Sequence, residues 1–504
     1  MLAYHGNSLL LKILNGYGEK GSKSPIRGAE IDTLFRSFGC KYDSISDLIP
    51  DSDHHFLIDP SGVKLNLAFQ DLKTFIRENG PFDLTQFGVP YGARVALIFP
   101  NGAELAVGLI ALLSNWCVLP INYANTLAET IVELRDANIT AVIANYDLSY
   151  LQKLSKEALS TCGKELTIFS AYPDPETFGL FTMTPLTPTK LVDISHGSSH
   201  VVPFLNDPPK SDHRLHDHAL ILYTSGTSGK RKLVPYSLSM LIIGVGCIVS
   251  AWDLSERDVC LNMMPLFHIG GIVRNVLSPL LSGGSVIQCN AFDPVLFWDL
   301  IFQPAAVIDT ADNPGSSATG KLQSTKGPTF QSVTWYYAAP SMHHAILLEA
   351  LNRTTPHPIS NIRFIANAAG ALLPSLADSL QRTFNKAVIL TGYGMTECMP
   401  ISSPPINASG GAYPTGTSGK PIGPDVIICN DDAVLLPAKE CGNIYIKGLP
   451  CFSGYENDSI ANEESFFSVN GDSGWFNTGD CGYLDENGYL FLTGRSKVVT
   501  NIMY

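Results

Sequence analysis

Apolar and polar positions alternate along the first third of the chain in blocks that predict strands and helices in turn. Residues 94–102, RVALIFPNG, form a short apolar run that ends in a turn signal and predicts a buried strand. The next segment, residues 104–116, is apolar on almost every side and predicts a buried helix. Two more predicted strands, at 117–122 and 141–145, flank a predicted helix at 128–138. This alternation predicts an α/β fold with a mostly parallel sheet.

The pattern changes in the last fifth of the chain. After Gly394, short strands such as those at 425–430 and 442–448 are separated by Gly, Asn and Asp turns, which predicts an all-β subdomain. Residues 171–218 are rich in Pro, Thr, Ser and His and predict a surface connector. We therefore predict an N-terminal extension at 1–54, α/β subdomains at 55–395 that include the connector, a β subdomain at 396–493, and a hinge with the chain end at 494–504.

Composition narrows the class of protein. The chain has 504 residues, a net charge of −13 and 45% hydrophobic residues, enough for several packed subdomains. Its acidity argues against a nucleic-acid partner, which needs a basic face. The longest apolar run, residues 240–252, is shorter than the roughly 20 residues of a membrane span. Eleven cysteines without a CxxC pair, and no signal-peptide pattern, predict a cytoplasmic protein.

The strongest local signal is ALILYTSGTSGKRKLVP at residues 219–235. An apolar strand runs into small and hydroxyl residues, and Lys230 and Lys232 follow. Backbone N–H groups of such a loop can form an anion-binding concavity, to which hydroxyls add donors and lysines add charge. It is not a Walker A loop, because Thr224 replaces the first glycine and Arg231 follows the lysine. The loop residues are Thr224, Ser225, Gly226, Thr227, Ser228 and Gly229. On spacing alone, a plain surface turn remains an alternative.

The loop resembles the phosphate-binding signature of the adenylate-forming superfamily, which includes acyl-CoA synthetases, coumarate-CoA-ligase-like enzymes and the adenylation domains of peptide synthetases. Further segments resemble family motifs in the family's order, so that the resemblance covers roughly residues 55–500. These segments are MPLFHIGG at 264–271, IRFIANAAGALLP at 362–374, LTGYGMTE at 390–397, GKPIGP at 419–424, GNIYIKG at 442–448 and GWFNTGDCGYLDENGYLFLTGRSK at 474–497. The resemblance implies the family's large N-terminal lobe, with two stacked, mostly parallel sheets, flanking helices and a small β-barrel-like subdomain.

The resemblance also implies a reaction. A carboxylic acid would attack the α-phosphorus of ATP, with Mg²⁺ present, and the acyl-adenylate would pass its acyl group to the thiol of CoA or of a carrier protein's phosphopantetheine. Lys232 would supply a cation to the phosphates, and Thr396 would contact the α-phosphate. The carboxylate of Glu397 would hold the metal, as hard cations prefer oxygen ligands.

Other nucleotide contacts follow from motif position. Tyr393 would stack on adenine, Asp480 would accept hydrogen bonds from both ribose hydroxyls, and Arg495 would lie near the same ribose. The remaining nucleotide-binding residues implied by the resemblance are those of the 224–229 loop together with Gly370, Ala371 and Gly394.

The acyl pocket implied by the resemblance mixes small and aromatic residues, which suits a small or medium organic acid. Amino-acid-activating members usually carry an aspartate at the position of His268, where it pairs with the substrate's ammonium group. A buried ammonium without a counter-charge is costly, so an α-amino acid is disfavoured here. The pocket would be lined by His268, Gly270, Gly271, Tyr337, Ala338, Asn367, Ala368 and Ala369.

Histidines elsewhere suggest no metal centre. His213, His216 and His218 lie at the end of the polar connector without cysteines or helical i, i+4 spacing. His343 and His344 follow Pro340 at a predicted helix start, and the surface of that helix is their expected place.

The chain also departs from the family. Leu233 stands where the phosphate loop usually has glycine, and the hinge lacks the usual glutamate after Lys497. The sequence ends before the family's mobile C-terminal lobe, which is therefore expected to be absent. Three alternatives follow. The chain could be part of a longer ligase, such as the N-terminal part of a carrier-protein synthetase. It could instead be an impaired protein that binds nucleotide without efficient turnover, or an interaction protein that has kept only the fold.

Overall fold

A computed structural model describes residues 14, 26–37, 44–77, 80–186, 217–225, 231–302, 332–353, 361–367, 370, 372–406 and 413–495. The α-helices of these residues are α1 (Gly28–Ser37), α2 (Phe69–Ile76), α3 (Ala103–Asn115), α4 (Leu127–Asp136), α5 (Leu148–Cys162), α6 (Leu238–Trp252), α7 (Ser278–Ser282), α8 (Pro294–Phe302), α9 (Pro340–Asn352), α10 (Pro374–Thr383) and α11 (Ser459–Ser465). Two short 3₁₀ helices and one π-helix, Gly271–Leu277, accompany them.

The strands, in chain order, are β1 (His55–Ile58), β2 (Leu67–Ala68), β3 (Arg94–Ile98), β4 (Cys117–Pro120), β5 (Ala141–Ala144), β6 (Thr167–Pro173), β7 (Phe181–Pro185), β8 (His218–Ser225), β9 (Arg231–Ser237), β10 (Val259–Asn262), β11 (Ser285–Gln288), β12 (Trp335–Ala338), β13 (Phe364–Asn367), β14 (Val388–Thr391), β15 (Tyr393–Met395), β16 (Cys398–Ser403), β17 (Lys420–Pro421), β18 (Asp425–Cys429), β19 (Gly442–Lys447), β20 (Phe466–Val469), β21 (Asp472–Leu484) and β22 (Leu490–Arg495).

Two seven-stranded sheets dominate the structure, and both are mostly parallel. One has the order β7-β6-β5-β3-β4-β8-β9, in which the outer pairs β6–β7 and β8–β9 are antiparallel. The other has the order β14-β13-β12-β10-β11-β1-β2, in which β1–β2 is antiparallel. Their central strands are buried on both faces, as parallel sheets require. The predicted α/β class with a mostly parallel sheet is therefore confirmed.

The predicted elements between residues 94 and 145 are also confirmed, as β3, α3, β4, α4 and β5. Helix α3 is buried along almost its whole length, which explains its nearly all-apolar sequence. Helix α4 starts at a capping box, since the Thr126 side chain accepts from the Glu129 amide and the Glu129 carboxylate accepts from the Thr126 amide.

Two segments carry more structure than the sequence pattern predicted. The predicted connector at 171–218 begins with the end of β6 and with β7, which pair antiparallel, so its first part belongs to a sheet. The weakly patterned N-terminal region contains α1, which buries Ile31, Leu34 and Phe35 and packs on α6. These short elements are held by tertiary packing, so local sequence patterns alone reveal them poorly.

From Tyr393 onwards the described strands pair antiparallel. β15, β16 and β17 form a small sheet, and β18, β19, β21 and β20 form another, with β22 pairing on β21. The apolar run that begins at Leu238 is helix α6, which is buried and contacts α1, β16 and the π-helix. Among the described residues, no helix is both long enough and apolar enough to cross a bilayer.

Candidate active site

The carboxyl ends of parallel strands form the edge at which the candidate site lies. Ala338 at the end of β12 pairs in register with Asn367 at the end of β13, which pairs with Thr391 at the end of β14. Ligands of open α/β sheets bind at such an edge. The predicted pocket residues Tyr337, Ala338 and Asn367 all lie on these strand ends, and all three are buried.

The phosphate-loop motif forms the two strands of an antiparallel hairpin. Thr224 pairs in register with Lys232, and Ser225 pairs with Arg231, so the tip of the hairpin begins at these residues. Leu220, Ile221 and Leu222 are buried behind the tip, which fixes the hairpin on the sheet. The tip itself, Gly226, Thr227, Ser228, Gly229 and Lys230, lies outside the described residues.

Lys232, Tyr455 and Glu397 form a cluster that three distant segments bring together. The Lys232 ammonium lies 4.4 Å from the centroid of the Tyr455 ring, within the range of a cation–π contact. The Tyr455 hydroxyl donates to Oε1 of Glu397 at 2.7 Å. Glu397 and Tyr455 are both buried. Tyr455 thus bridges Lys232, the cation predicted to contact the phosphates, and Glu397, the predicted metal ligand.

Burial raises the pKa of Glu397, because desolvation disfavours its charged form. The Tyr455 hydrogen bond and the positive charges of Lys232 and Arg495 act in the opposite direction. A single carboxylate fits Mg²⁺, which usually takes one or two protein carboxylates together with substrate phosphates. Among the described residues, no group of three or more His, Cys, Asp or Glu side chains could hold a metal by itself.

The segment that carries Tyr455 is fixed to both sides of the site. Glu456 donates its amide to the carbonyl of Leu233, next to Lys232. Its carboxylate accepts two hydrogen bonds from Arg94 of β3, at 2.7 and 2.9 Å. The Phe452 amide donates to the carbonyl of Glu397 at 2.9 Å. These contacts hold the Tyr455 ring between the hairpin and Glu397.

Gly394 lies in the middle of β15, and Thr396 lies in the tight turn between β15 and β16. The Tyr236 hydroxyl donates to the Thr396 carbonyl, so the turn is fixed to β9 through its backbone. A Cβ added at Gly394 would lie 2.9 Å from the Met399 sulfur, so a larger residue would push β15 away from its support.

Tyr393, Asp480 and Arg495 form a second polar cluster. The Tyr393 hydroxyl donates to Oδ2 of Asp480 at 2.6 Å, and Arg495 forms an ion pair with Asp480, with Nε 2.9 Å from Oδ1. Asp480 and Arg495 pair in register across β21 and β22, which explains their proximity. Oδ2 therefore already accepts one protein hydrogen bond, and both carboxylate oxygens keep capacity to accept others. Asp480 and Tyr393 are buried, whereas Arg495 is exposed.

The residues of the FHIGG motif line the loop after β10 and the start of the π-helix. His268 is exposed, and the protein around it lowers the pKa of its imidazole through desolvation. Gly271 allows a close approach, because a Cβ there would lie 2.3 Å from the Pro265 carbonyl oxygen. A Cβ at Gly270 would lie 3.0 Å from the Tyr337 hydroxyl. Gly270 therefore leaves the space next to the Tyr337 hydroxyl, whereas Gly271 allows the backbone to pack on Pro265.

The last predicted pocket segment is described only in part. Asn367 donates from Nδ2 to the Gly370 carbonyl at 2.6 Å, which closes a short turn after β13. Ala368, Ala369 and Ala371 lie outside the described residues.

Sequence reasoning missed two side chains that the structure places in the site. Tyr455 follows Glu397 by 58 residues and lies in a loop, so no local periodicity marks it. Arg274 is buried next to Tyr337 of the predicted acyl pocket, where Nη1 donates to the Tyr337 hydroxyl at 2.8 Å. Arg274 is the only charged residue between His268 and Asp293, and this isolated charge in an apolar run was a usable signal.

One prediction outside the site was wrong. His343 is buried, not on the helix surface, because it lies on the same face of α9 as Ile346 and Ala350. Its Nδ1 lies 3.4 Å from the Tyr336 hydroxyl. Desolvation lowers the pKa of His343 to about 4. His344, by contrast, is exposed as predicted.

Several curated relatives of this chain are named as CoA ligases. A protein from Humulus lupulus named "Probable CoA ligase CCL9" is 31% identical over 82% of this chain and 70% of its own length. Oxalate–CoA ligase from Arabidopsis thaliana is 27% identical over 87% of this chain and 76% of its own length. Sulfoacetate–CoA ligase from Cupriavidus necator is 26% identical over 81% of this chain and 69% of its own length.

Solved structures show the same fold. ATP-bound MatB from Rhodopseudomonas palustris matches with a TM-score of 0.69 and 22% identity, over 91% of this chain and 79% of that one. The luciferase-like enzyme from the nonluminescent mealworm Zophobas morio matches with a TM-score of 0.63 and 18% identity, over 88% of this chain and 92% of that one. The expected absence of the C-terminal lobe gains no support from these overlaps and stays a prediction.

The sequence profile of the family described as "AMP-binding enzyme" matches residues 83–304 and 329–456, which include the phosphate hairpin, the FHIGG loop and the Thr396–Glu397 turn. The chain belongs to this AMP-binding, adenylate-forming enzyme family, whose members similar to it include proteins named as CoA ligases.

Proposed function

We propose that this chain activates a carboxylic acid without an α-ammonium group to an acyl-adenylate and transfers the acyl group to coenzyme A. The observation that supports this best is the convergence of three motifs around Glu397. Lys232 from the hairpin and Arg495 from β22 both act on the pKa of this carboxylate. To bind a nucleoside triphosphate, a site needs a cation for the phosphates, a carboxylate for the metal ion and polar groups for the ribose.

In the proposed first step, a carboxylate oxygen of the acid attacks the α-phosphorus, and the bond from that phosphorus to pyrophosphate breaks. Lys232 would stabilise the negative charge of the leaving pyrophosphate. Glu397 would hold Mg²⁺, and the metal would neutralise phosphate charge when bound. Thr396 would position the α-phosphate from its turn, and the hairpin tip would supply N–H and hydroxyl donors.

The nucleoside would be oriented by the second polar cluster. Asp480 would accept hydrogen bonds from the ribose hydroxyls through its remaining lone pairs, while the ion pair with Arg495 holds the carboxylate in place. The Tyr393 hydroxyl is engaged with Asp480, so its ring is fixed in place to serve as the adenine-stacking face. Orientation of this kind converts an encounter of two bound reactants into an effectively intramolecular step.

The nature of the acid follows from charge. The described pocket residues include no carboxylate to pair with an ammonium group, and Arg274 lies next to Tyr337 as a cation. Several curated relatives are named as ligases of small acids: oxalate, sulfoacetate and, in Arabidopsis thaliana, malonate. We therefore propose a short organic acid as substrate and, because these relatives are CoA ligases, coenzyme A as acceptor.

The test is ATP–pyrophosphate exchange with panels of amino acids, aliphatic acids, aryl acids and short diacids. Exchange is expected with acids that lack an α-ammonium group, and adding coenzyme A should yield the matching acyl-CoA by mass spectrometry. Exchange confined to amino acids would contradict the proposed substrate class. Transfer to a phosphopantetheinylated carrier protein but not to coenzyme A would contradict the proposed acceptor.

A further inference from the structure

Arg274 is a buried cation whose surroundings do not balance its charge. The residue is only 2% exposed. It lies in the π-helix Gly271–Leu277, a rare type of helix, which follows the FHIGG loop. Irregular helices of this type are frequent at functional sites. Within the described part of the chain, no carboxylate forms an ion pair with it, and its one hydrogen bond is the donation from Nη1 to Tyr337.

Aromatic rings hold the Arg274 guanidinium in place without satisfying its N–H groups. Its central carbon lies 4.8 Å from the Tyr337 ring centroid and 5.7 Å from that of Trp252. Nε and Nη2 have no hydrogen-bond partner among the described residues. Burying a charge without its hydrogen bonds is strongly unfavourable, so a purely structural arginine would be expected to have a partner.

The two unpartnered nitrogens lie on one edge of the guanidinium. Nε–H and one Nη2–H point in parallel, and this edge matches the two oxygens of a carboxylate or the oxygens of a sulfonate. Nη2 faces the turn after β14, since a Cβ added at Gly392 would lie 3.4 Å from it. Gly392 immediately precedes Tyr393, so this edge lies near the residue predicted to stack on adenine.

We propose that Arg274 binds a second acidic group of the substrate, so that the acid activated by this chain is a short diacid or a sulfonated acid. This proposal rests on the proposed function and deepens it. One carboxylate would be directed at the α-phosphate while the distal anion pairs with Nε and Nη2 of Arg274. The distal anion would replace the missing counter-charge, and the fork geometry would fix the orientation of a small molecule that has few other contacts.

The experiment is calorimetric binding of matched acids to the whole chain with a non-hydrolysable ATP analogue and Mg²⁺. The pairs are malonate with propanoate and succinate with butanoate, which differ only in the distal group, and sulfoacetate is added as a third acid. Wild type should bind at least one diacid or sulfoacetate roughly 10- to 100-fold more tightly than the neutral-ended acids. Arg274→Met should remove this preference, and Arg274→Lys should keep only part of it, because an ammonium lacks the fork.

Equal binding of both members of each pair by wild type would overturn the proposal without any variant. An equal loss for both members in Arg274→Met would also overturn it, because it would show a structural role. Should Arg274→Met fail to fold, Gly392→Ala provides the second variant: crowding of Nη2 should weaken the diacid more than the monoacid. Hydroxamate trapping separates the two proposals. A diacid preference in binding without adenylation would contradict only the proposed function, whereas adenylation without preference would contradict only the Arg274 subsite.

Discussion

Tyr455 contacts Glu397 through a single hydrogen bond from its hydroxyl, which makes it a sharp probe of the carboxylate that we propose to bind Mg²⁺. Its hydrogen bond stabilises the charged form of Glu397 and partly offsets the rise in pKa that burial causes. Tyr455→Phe should therefore raise the pKa of Glu397 further. Mg²⁺ binds the ionised form of a carboxylate. The acidic limb of the pH profile, where the affinity for MgATP falls as Glu397 is protonated, should therefore move to higher pH, as measured by calorimetry at a series of pH values.

A matched control for this prediction exists in the same half of the molecule. Tyr445 is a similarly buried tyrosine, but its hydroxyl accepts from Asn477 and does not contact Glu397. Tyr445→Phe should leave the acidic limb in place. An unchanged limb in Tyr455→Phe, or an equal shift in the two variants, would contradict the assigned role of Tyr455.

His343 makes the stability of the fold depend on pH. Its folded pKa of about 4 lies below the ordinary value near 6.5, so the unfolded chain takes up the proton first as the pH falls. The free energy of unfolding should therefore decrease between pH 6.5 and 4, with a contribution from His343 of roughly 3 kcal/mol. His343→Asn should flatten this decrease in urea titrations, whereas His344→Asn, on the exposed face of the same helix, should not. Parallel decreases in wild type and His343→Asn would refute the prediction.

At the scale of elements, the segment Phe452–Glu456 joins β9, β3 and the Thr396–Glu397 turn. The Arg94–Glu456 pair is the polar part of this junction, and both side chains are only about one-fifth exposed. Glu456→Gln should lower the free energy of unfolding by about 1–3 kcal/mol, since Arg94 would lose its charged partner. It should also weaken MgATP binding, because Tyr455 is the neighbouring residue.

Glu486→Gln is the matched control for the junction. Glu486 pairs with Lys439, and both side chains are largely exposed. Solvent screens such pairs, so the expected loss of stability is below about 1 kcal/mol, with no change in MgATP binding. Chemical denaturation and calorimetry of both variants provide the two measurements. A Glu456→Gln protein with wild-type MgATP affinity would show that the junction does not position Tyr455.

How much of the fold and of the candidate site can be predicted from the sequence depends on how far apart in the chain the interacting residues lie. Strands and helices between residues 94 and 145 follow from local apolar periodicity, whereas the hairpin register that opposes Thr224 and Lys232 was not predicted and is known from the structure. The burial of His343 could have been found, because it shares the i, i+3, i+7 spacing of Ile346 and Ala350. Its polarity led to the wrong prediction.

Tyr455 and the environment of Arg274 could not be derived in the same way. Tyr455 reaches Glu397 through a loop that is fixed by Arg94, more than 350 residues away in sequence. The charge of Arg274 is visible in the sequence, but the absence of a partner for Nε and Nη2 in the described residues is a property of the tertiary structure. Long-range packing decided both, and single-sequence periodicity contains no information about it.

For the whole molecule, the central claim is that a carboxylate oxygen of the substrate attacks the α-phosphorus of ATP. The most direct measurement supplies an acid labelled with oxygen-18 in its carboxylate, together with ATP, Mg²⁺ and coenzyme A, and weighs the nucleotide product by mass spectrometry. The account predicts AMP that carries one labelled oxygen, because the bond from the acyl carbon to the bridging oxygen breaks when the thiol attacks. Unlabelled AMP, or ADP as the nucleotide product, would contradict it.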